Sequence, residues 1–260
     1  MKKFGIDVSK WQGNFDFQKA KSEGVEFVIL RGAYSNSKDV KFDTYYTSCK
    51  ALGIPVGVYQ YSMATTVAQA KKEAETLYNN VLKGRQFELP IYIDVEDKVQ
   101  LALGKSALTD IVKAWCDYLE SKGYFVGIYA SLNTFKTEVN DSALAKYAHW
   151  IAQWSKNCTY SSDYGMWQFG GETNMIRSTK IAGQTVDQNY MLVDYPTLIK
   201  KSNRNGFVST TKPVTYSAAE IASAKKTVQT KAKLEDGSID HLMKYQYAND
   251  LIIKLAKAMK

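Results

Sequence analysis

Eight short apolar segments in this 260-residue chain carry strand character, and helical patterns fill the first gaps between them. The segments are FGIDVS (4–9), FVILRGAY (27–34), VGVYQYS (56–62), LPIYIDVE (89–96), YFVGIYAS (124–131), HWIAQW (149–154), MWQFG (166–170) and TVDQNY (185–190). Helices are predicted over 15–23, 41–52, 66–83 and 106–122, and a fifth fits 134–147. Gly24, Gly53, Gly84 and Gly123 each stand just past one of the first four, where a left-handed closing residue belongs. Beyond 147 the gaps are too short or too polar for well-formed helices, so loops or hairpins should join the last three strands. Alternation of strand and helix calls for a parallel sheet with covered faces, and eight strands point to closure. An open doubly wound sheet is the competing arrangement, but no GxGxxG follows the first strand. The expected fold is α/β: an irregular TIM-like (β/α) barrel of eight strands and five helices, followed by a small all-α domain.

The barrel is assigned to residues 1–199, a polar, basic linker to 200–216 and the helical module to 217–260. Ser217-Ala-Ala-Glu220 is a capping-box pattern opening a helix to about Leu234. Asp236-Gly237-Ser238 reads as a turn. Leu242, Leu251, Leu255 and Met259 then recur at helical spacing, with a break expected near Asn249-Asp250. Charge follows the same division. Residues 1–199 hold 22 basic and 21 acidic side chains, whereas 200–214 hold four basic and no acidic, and 215–260 eight basic and five acidic. Most of the net charge of +8 therefore lies in the last quarter, where it suits an anionic polymer or simple solubility.

Several chemistries are excluded or made remote. Three well-separated cysteines (Cys49, Cys116, Cys158) with no CxxC rule out a disulfide framework and argue against zinc. With only His149 and His241, no His-rich metal centre can be built, and no metal or cofactor is expected. No run of 18 apolar residues is present to cross a membrane, and MKKFGIDVSKWQG does not read as a secretory signal. The expectation is a protein made in a cytoplasm. Whatever chemistry is here should run on carboxylates.

In such a barrel, functional side chains project from the C-terminal ends of strands. Asp7 closes the first strand, Asp94 and Glu96 close the fourth, and Asp187 lies in the last. Asp94 and Glu96 are two apart, so both leave the same face of a strand whose preceding residues are wholly apolar. Acids there must be solvated by a cleft, protonated or paired with a cation. Paired carboxylates of unequal pKa suit glycoside hydrolysis, and a carboxyl pair also suits a divalent cation. Tyr34, Tyr59, Tyr61, Tyr129, Trp154 and Trp167 lie in or at the ends of strands, where they either line a sugar-binding cleft or pack the core.

These residues, in order, resemble the glycoside hydrolase family 25 lysozymes over about residues 4–195. The markers are GIDVSKWQG, GIPVGVYQYS, YIDVE, GIYAS, WIAQW, MWQFG and VDQNY. The resemblance implies an eight-stranded, five-helix barrel and N-acetylmuramidase activity on the β-1,4 bond of peptidoglycan. It implies Glu96 as general acid and Asp94 as the group steadying the substrate acetamide or the developing oxocarbenium ion. Asp7 and Asp187 would flank them, and Tyr34, Tyr59, Tyr61, Tyr129, Trp154 and Gln168 would contact substrate. Net retention through the acetamide, or a covalent carboxylate, would follow. Arg31 stands where Lys is common and Gln60 where His is common.

A muramidase joined to a small basic module resembles a bacteriophage endolysin acting on the bacterial wall, with an autolysin as the second reading. The module is then expected to bind a wall polymer or to form homo-oligomers. A chitinase-type barrel would want DxxDxDxE, of which only the last two acids are present. A non-catalytic glycan-binding barrel would have no need of Glu96. A nucleic-acid binder would interleave aromatic and basic residues in the tail, which this one does not.

Overall fold

A computed structural model describes residues 2–208, 216–243 and 248–259. It divides into two compact units, Met1–Val208 and Ser209–Lys260. The first is the barrel. Its strands are β1 (Lys3–Val8), β2 (Phe27–Tyr34), β3 (Val56–Tyr61), β4 (Ile91–Asp94), β5 (Val126–Ser131), β6 (Ala148–Ala152), β7 (Met166–Gly170) and β8 (Asp187–Met191). Strands β1 to β7 pair in parallel with their neighbours in sequence, and β8 closes the ring antiparallel to both β7 and β1. The irregularity is this last strand. Its reversed direction places its first residue, Asp187, opposite Asp7 at the end of β1.

Strand alternation sorts side chains into two layers. Val28, Leu30, Val56, Val58, Ile91, Ile93, Val126 and Ile128 point outward and pack under helices, with Leu77, Leu108 and Trp115 among their partners. Phe27, Ile29, Tyr92, Trp150, Met166 and Met191 point inward and fill the barrel. Trp150 sits centrally, edge-on to Tyr129, Tyr92 and Tyr59 at 4.5, 5.1 and 6.3 Å between ring centres. Two inward glycines make room for this layer: a Cβ on Gly5 would stand 2.5 Å from the Phe27 ring, and one on Gly127 would collide with Tyr92.

The helices on the outside are α1 (Phe17–Ser22), α2 (Phe42–Ala51), α3 (Val67–Leu77) and α4 (Lys105–Ser121). Side-chain caps open α1 and α3, from Asp16 to Lys19 N–H and from Thr66 to Gln69 N–H. The predicted fifth helix over 134–147 is not continuous. It breaks into a π-turn, Thr134–Glu138, and one short turn, Asp141–Leu144. Val139 is extended and 1% exposed, and the next amide, Asn140 N–H, donates to Thr109 Oγ1 on α4 at 2.8 Å. Core burial of a β-branched side chain outweighed helical continuity there. Among the last strands, β6 and β7 are parallel and joined by a loop, 153–165, as one of the two expected connections.

The barrel also runs further than residue 199. Helix α5 (Tyr195–Lys201) carries past it, and Asn205 is fully buried beyond its end. Asn205 donates through Nδ2 to Leu89 O (2.8 Å) and through its backbone N–H to Gly123 O (3.1 Å). It accepts from Phe125 N–H (2.6 Å) and Phe87 N–H (3.1 Å). One asparagine thus ties together the chain entering β4 and β5. Residues 200–208 of the expected linker belong to the barrel, and 209–215 lie outside the described residues.

In the second unit, α6 (Ala218–Ala232) opens on the Ser217/Glu220 capping box. It is followed by α7 (Asp236–Leu242) and α8 (Ala248–Ala258). The expected turn at Asp236-Gly237-Ser238 is instead the first turn of α7, because extended Glu235 takes the N-cap position. The expected break at Asn249-Asp250 falls inside α8, and residues 244–247 before it lie outside the described residues. Ala224, Val228, Ile239, Ile252, Ile253 and Ala256 form its small core.

Candidate active site

Inward positions that are apolar in the barrel become polar at the end where β1 to β7 finish. Asp7, Arg31, Tyr59, Tyr61, Asp94, Glu96 and Asp187 all line one cavity of about 330 Å³ there, with Tyr34 at its edge. Register explains the gathering. Tyr61, Asp94 and Tyr129 are paired neighbours across β3, β4 and β5, while Asp7 faces Asp187 across the seam of β1 and β8.

The four acids are unequally treated. Asp7 Oδ2 accepts from Asn189 Nδ2 (2.8 Å) and Gln168 Nε2 (3.0 Å). Burial pushes its carboxyl up and these two amides pull it back, leaving it at about 6. Asp187 has burial first and then Asp7 and Glu96 against it, and stands at about 8. Asp94 is 4% exposed and raised well above the usual carboxylate range by burial, then by Glu96 and Asp7, with Arg31 opposing. Among the described residues its Oδ1 has no hydrogen-bond partner. Glu96 is raised by burial first and then by Asp7 and Asp97. All four carboxyl groups are thus shifted toward the protonated form, and Asp7 is the one that hydrogen-bond donors pull back toward the anion. Carboxyl groups treated unequally in this way suit acid-assisted bond cleavage.

The aromatic residues expected to contact substrate divide. Tyr34 and Tyr61 stack at 4.9 Å and 15°, forming one wall of the cavity, with Tyr34 43% exposed. Trp154 is exposed beside Asp187: a Cβ on Gly171 would stand 2.8 Å from the Trp154 ring and collide with the Asp187 carboxyl. Tyr129 and Gln168 are placed differently. Gln168 is buried, and its Oε1 accepts from Tyr129 Oη and Trp154 Nε1, each at 3.0 Å, while its amide nitrogen serves Asp7. Gln168 orients Asp7, and Tyr129, half-buried, orients Gln168. Trp167 belongs to the outer layer, against Phe169 and Tyr190. Gln60 also points outward, to Ser35 O, Glu73 O and Trp115.

Three features were not legible as site residues. Trp11 is 76% exposed at the cavity edge, on a turn whose capping box joins Ser9 and Gln12. Asn189 sits in VDQNY but showed no sign of its bond to Asp7. Glu73 on α3, 1% exposed, accepts from Ser35 Oγ (2.8 Å), Ser62 Oγ (2.6 Å) and Met63 N–H (3.1 Å). It thereby fixes the residues that follow the stacked Tyr34 and Tyr61. Gln100 donates to Ser62 Oγ (2.9 Å) and Ala64 O (2.8 Å), bringing the loop after Glu96 into the same network. Among the described residues no group of three or more His, Cys, Asp or Glu is set to hold a metal ion.

A barrel with four carboxyl groups gathered at its strand ends suits the paired-carboxyl chemistry of glycoside hydrolysis. The family model for glycosyl hydrolases family 25 matches residues 6–176, and the chain belongs to that family. It is 30% identical over 151 residues to the autolytic lysozyme of Clostridium acetobutylicum, covering 58% of this chain and 44% of that protein. It is 27% identical to lysozyme M1 of Streptomyces globisporus, covering 71% of this chain and 66% of that one. The match thus spans under two thirds of either relative. Among solved structures, the modular autolysin LytC of Streptococcus pneumoniae is similar at a TM-score of 0.65 and 23% identity, over 73% of this chain and 46% of that one.

Proposed function

We propose that the protein hydrolyses the β-1,4 bond between N-acetylmuramic acid and N-acetylglucosamine in peptidoglycan. The observation that carries this reading is the gathering of four carboxyl groups in one tyrosine-walled cavity, where burial raises each of them. Family membership supports it, as do relatives named lysozymes and a structural neighbour solved with a synthetic peptidoglycan ligand.

Glu96, held protonated, gives its proton to the glycosidic oxygen as the bond to the muramic acid C1 breaks. The acetamide carbonyl oxygen of the same sugar closes on C1, with Asp94 Oδ1 as acceptor for the acetamide N–H. Asp7, whose anion accepts from Asn189 and Gln168, stabilises the positive charge that develops. Water then adds to C1 as the bond from C1 to the acetamide oxygen breaks and the acetamide is restored; Glu96, now a carboxylate, takes the proton of the water, and the configuration at C1 is retained. The second unit, with its basic excess, would hold the enzyme on the wall.

Digestion of Gram-positive peptidoglycan followed by borohydride reduction and mass spectrometry tests the assignment. Reduced N-acetylmuramic acid is expected. Reduced N-acetylglucosamine would move the cleaved bond, and no new reducing end would overturn the hydrolase reading.

A further inference from the structure

A second cavity of about 450 Å³ opens beside the carboxyl-lined one, and Trp11, Arg31 and Tyr34 form part of both. Beyond these shared residues its walls come from Lys10, Ser37, Lys38, Asp39 and Val40. The two halves of the cleft have opposite charge. On the catalytic side Asp7, Asp94, Glu96 and Asp187 face one cation, Arg31. On the other side Lys10, Arg31 and Lys38 face one acid, Asp39, which is 5% exposed and already engaged. Asp39 Oδ2 accepts from Arg31 Nε (2.7 Å) and Lys10 N–H (3.1 Å), and its Oδ1 accepts from Lys41 N–H (2.9 Å).

The charges around this groove do not cancel. Lys38 Nζ meets Asp43 at 2.6 Å, but Asp43 is shared with Arg85 at 2.9 Å. Lys41 Nζ turns to the neutral Asn14. Lys10 Nζ lies over the Trp11 ring at 5.0 Å, exposed, at the junction of the two cavities. Trp11 and Val40 are 76% and 79% exposed and give the groove an apolar floor between cations.

A ligand filling both halves must be neutral or developing positive charge on one side and anionic, with apolar parts, on the other. Resting on the hydrolase reading above, we infer that the groove of Lys10, Trp11, Lys38 and Val40 binds the acidic peptide stem borne by the muramic acid. The stem's carboxylates meet Lys10 and Lys38 and its small apolar side chains rest on Trp11 and Val40. The groove then selects peptide-bearing strands over bare glycan, a preference distinct from bond cleavage. A sugar occupant would want hydroxyl-binding polar groups rather than flanking ammonium ions.

The test is equilibrium binding by the full chain carrying Glu96→Gln, so that the readout does not depend on turnover. Short glycan strands are compared with their peptide stems intact and with the stems removed by an amidase. The peptide-bearing strand should bind more tightly, and Lys10→Ala should weaken it about fivefold, the scale of one exposed charge pair. Adding Lys38→Ala should erase the preference, and neither change should alter binding of the stripped strand. Equal loss on both strands would assign the groove to sugar and overturn the proposal. A preference that survives both substitutions, or no preference at all, would overturn it too. Failure of the unsubstituted enzyme to cleave either strand, with the preference intact, would overturn the hydrolase reading and leave the groove standing.

Discussion

Glu73 and Asp94 are both buried acids in the same barrel, 1% and 4% exposed, yet their surroundings have opposite character. Glu73, in the helical layer, accepts three hydrogen bonds from two serines and a backbone amide. Asp94, in the strand layer, keeps an oxygen with no partner among the described residues and has three further acids bearing on it, Glu96, Asp7 and Asp187. Burial costs a carboxyl group its hydration in either place. Only at Glu73 does the protein return that solvation. At Asp94 it is withheld, which leaves a polar atom for substrate to satisfy. At Asp94 function goes with unsatisfied burial, whereas the satisfied acid, Glu73, holds the residues that follow Tyr34 and Tyr61 at the cavity wall.

The largest effect should come from the unsatisfied side. Glu96→Gln keeps the shape and removes the transferable proton, so kcat should fall on the order of 10²–10⁴-fold. Thermal unfolding of the variant should stay within a few degrees of the parent, and wild-type turnover would remove Glu96 from its role. Next comes Glu73→Ala, which leaves the buried Ser62 hydroxyl, the half-buried Ser35 hydroxyl and the Met63 amide without their acceptor. A cost of about 2–4 kcal/mol in urea unfolding is expected from donors left without an acceptor. If Glu73→Ala were neutral in stability, the network would not be the scaffold described.

Asp187→Asn should have the reverse sign. Its carboxyl stands at about 8 in the folded protein against an ordinary 3.8, so the folded state holds the proton more tightly than the unfolded chain. Stability must then decline as pH rises between those values, with the full cost present above about 8 and none below about 4. Replacing the acid by its amide removes this cost. The variant should match the parent near pH 4 and exceed it by a margin that grows as pH rises toward 8, while turning over more slowly. Equal stability across the range would mean that Asp187 is solvated like a surface acid.

Much of this was readable in the chain. Strand alternation fixes which residues face inward, so Asp7, Asp94, Glu96 and Tyr61 could be placed together before any coordinates existed. Asp187 could be named but not aimed, because its position depends on β8 running antiparallel, and TVDQNY carries no mark of direction. Gln168 and Tyr129 enter as substrate contacts through the family resemblance; the hydrogen bonds of Tyr129 to Gln168 and of Gln168 to Asp7 are tertiary and leave no mark in the sequence. Glu73 was silent for the same reason, since on a helix it looks like any solvated acid. The stretch from 200 to 208 misled by composition, where polar residues concealed a single buried asparagine making four hydrogen bonds.

Every residue in the comparison lies within Met1–Val208, which leads to the smallest expected effect. Deleting 209–260 should change kcat/KM on short soluble glycan strands by no more than about twofold, as for a domain with its own core. The cut must fall after Val208, because an earlier one would take away Asn205 and loosen the chain entering β4 and β5. Binding to intact wall should weaken on the same deletion if the second unit anchors the enzyme. Were cleavage of short strands to collapse instead, the solvation of the four acids would depend on residues beyond Val208. Buried acids in the first unit alone would then no longer account for the chemistry.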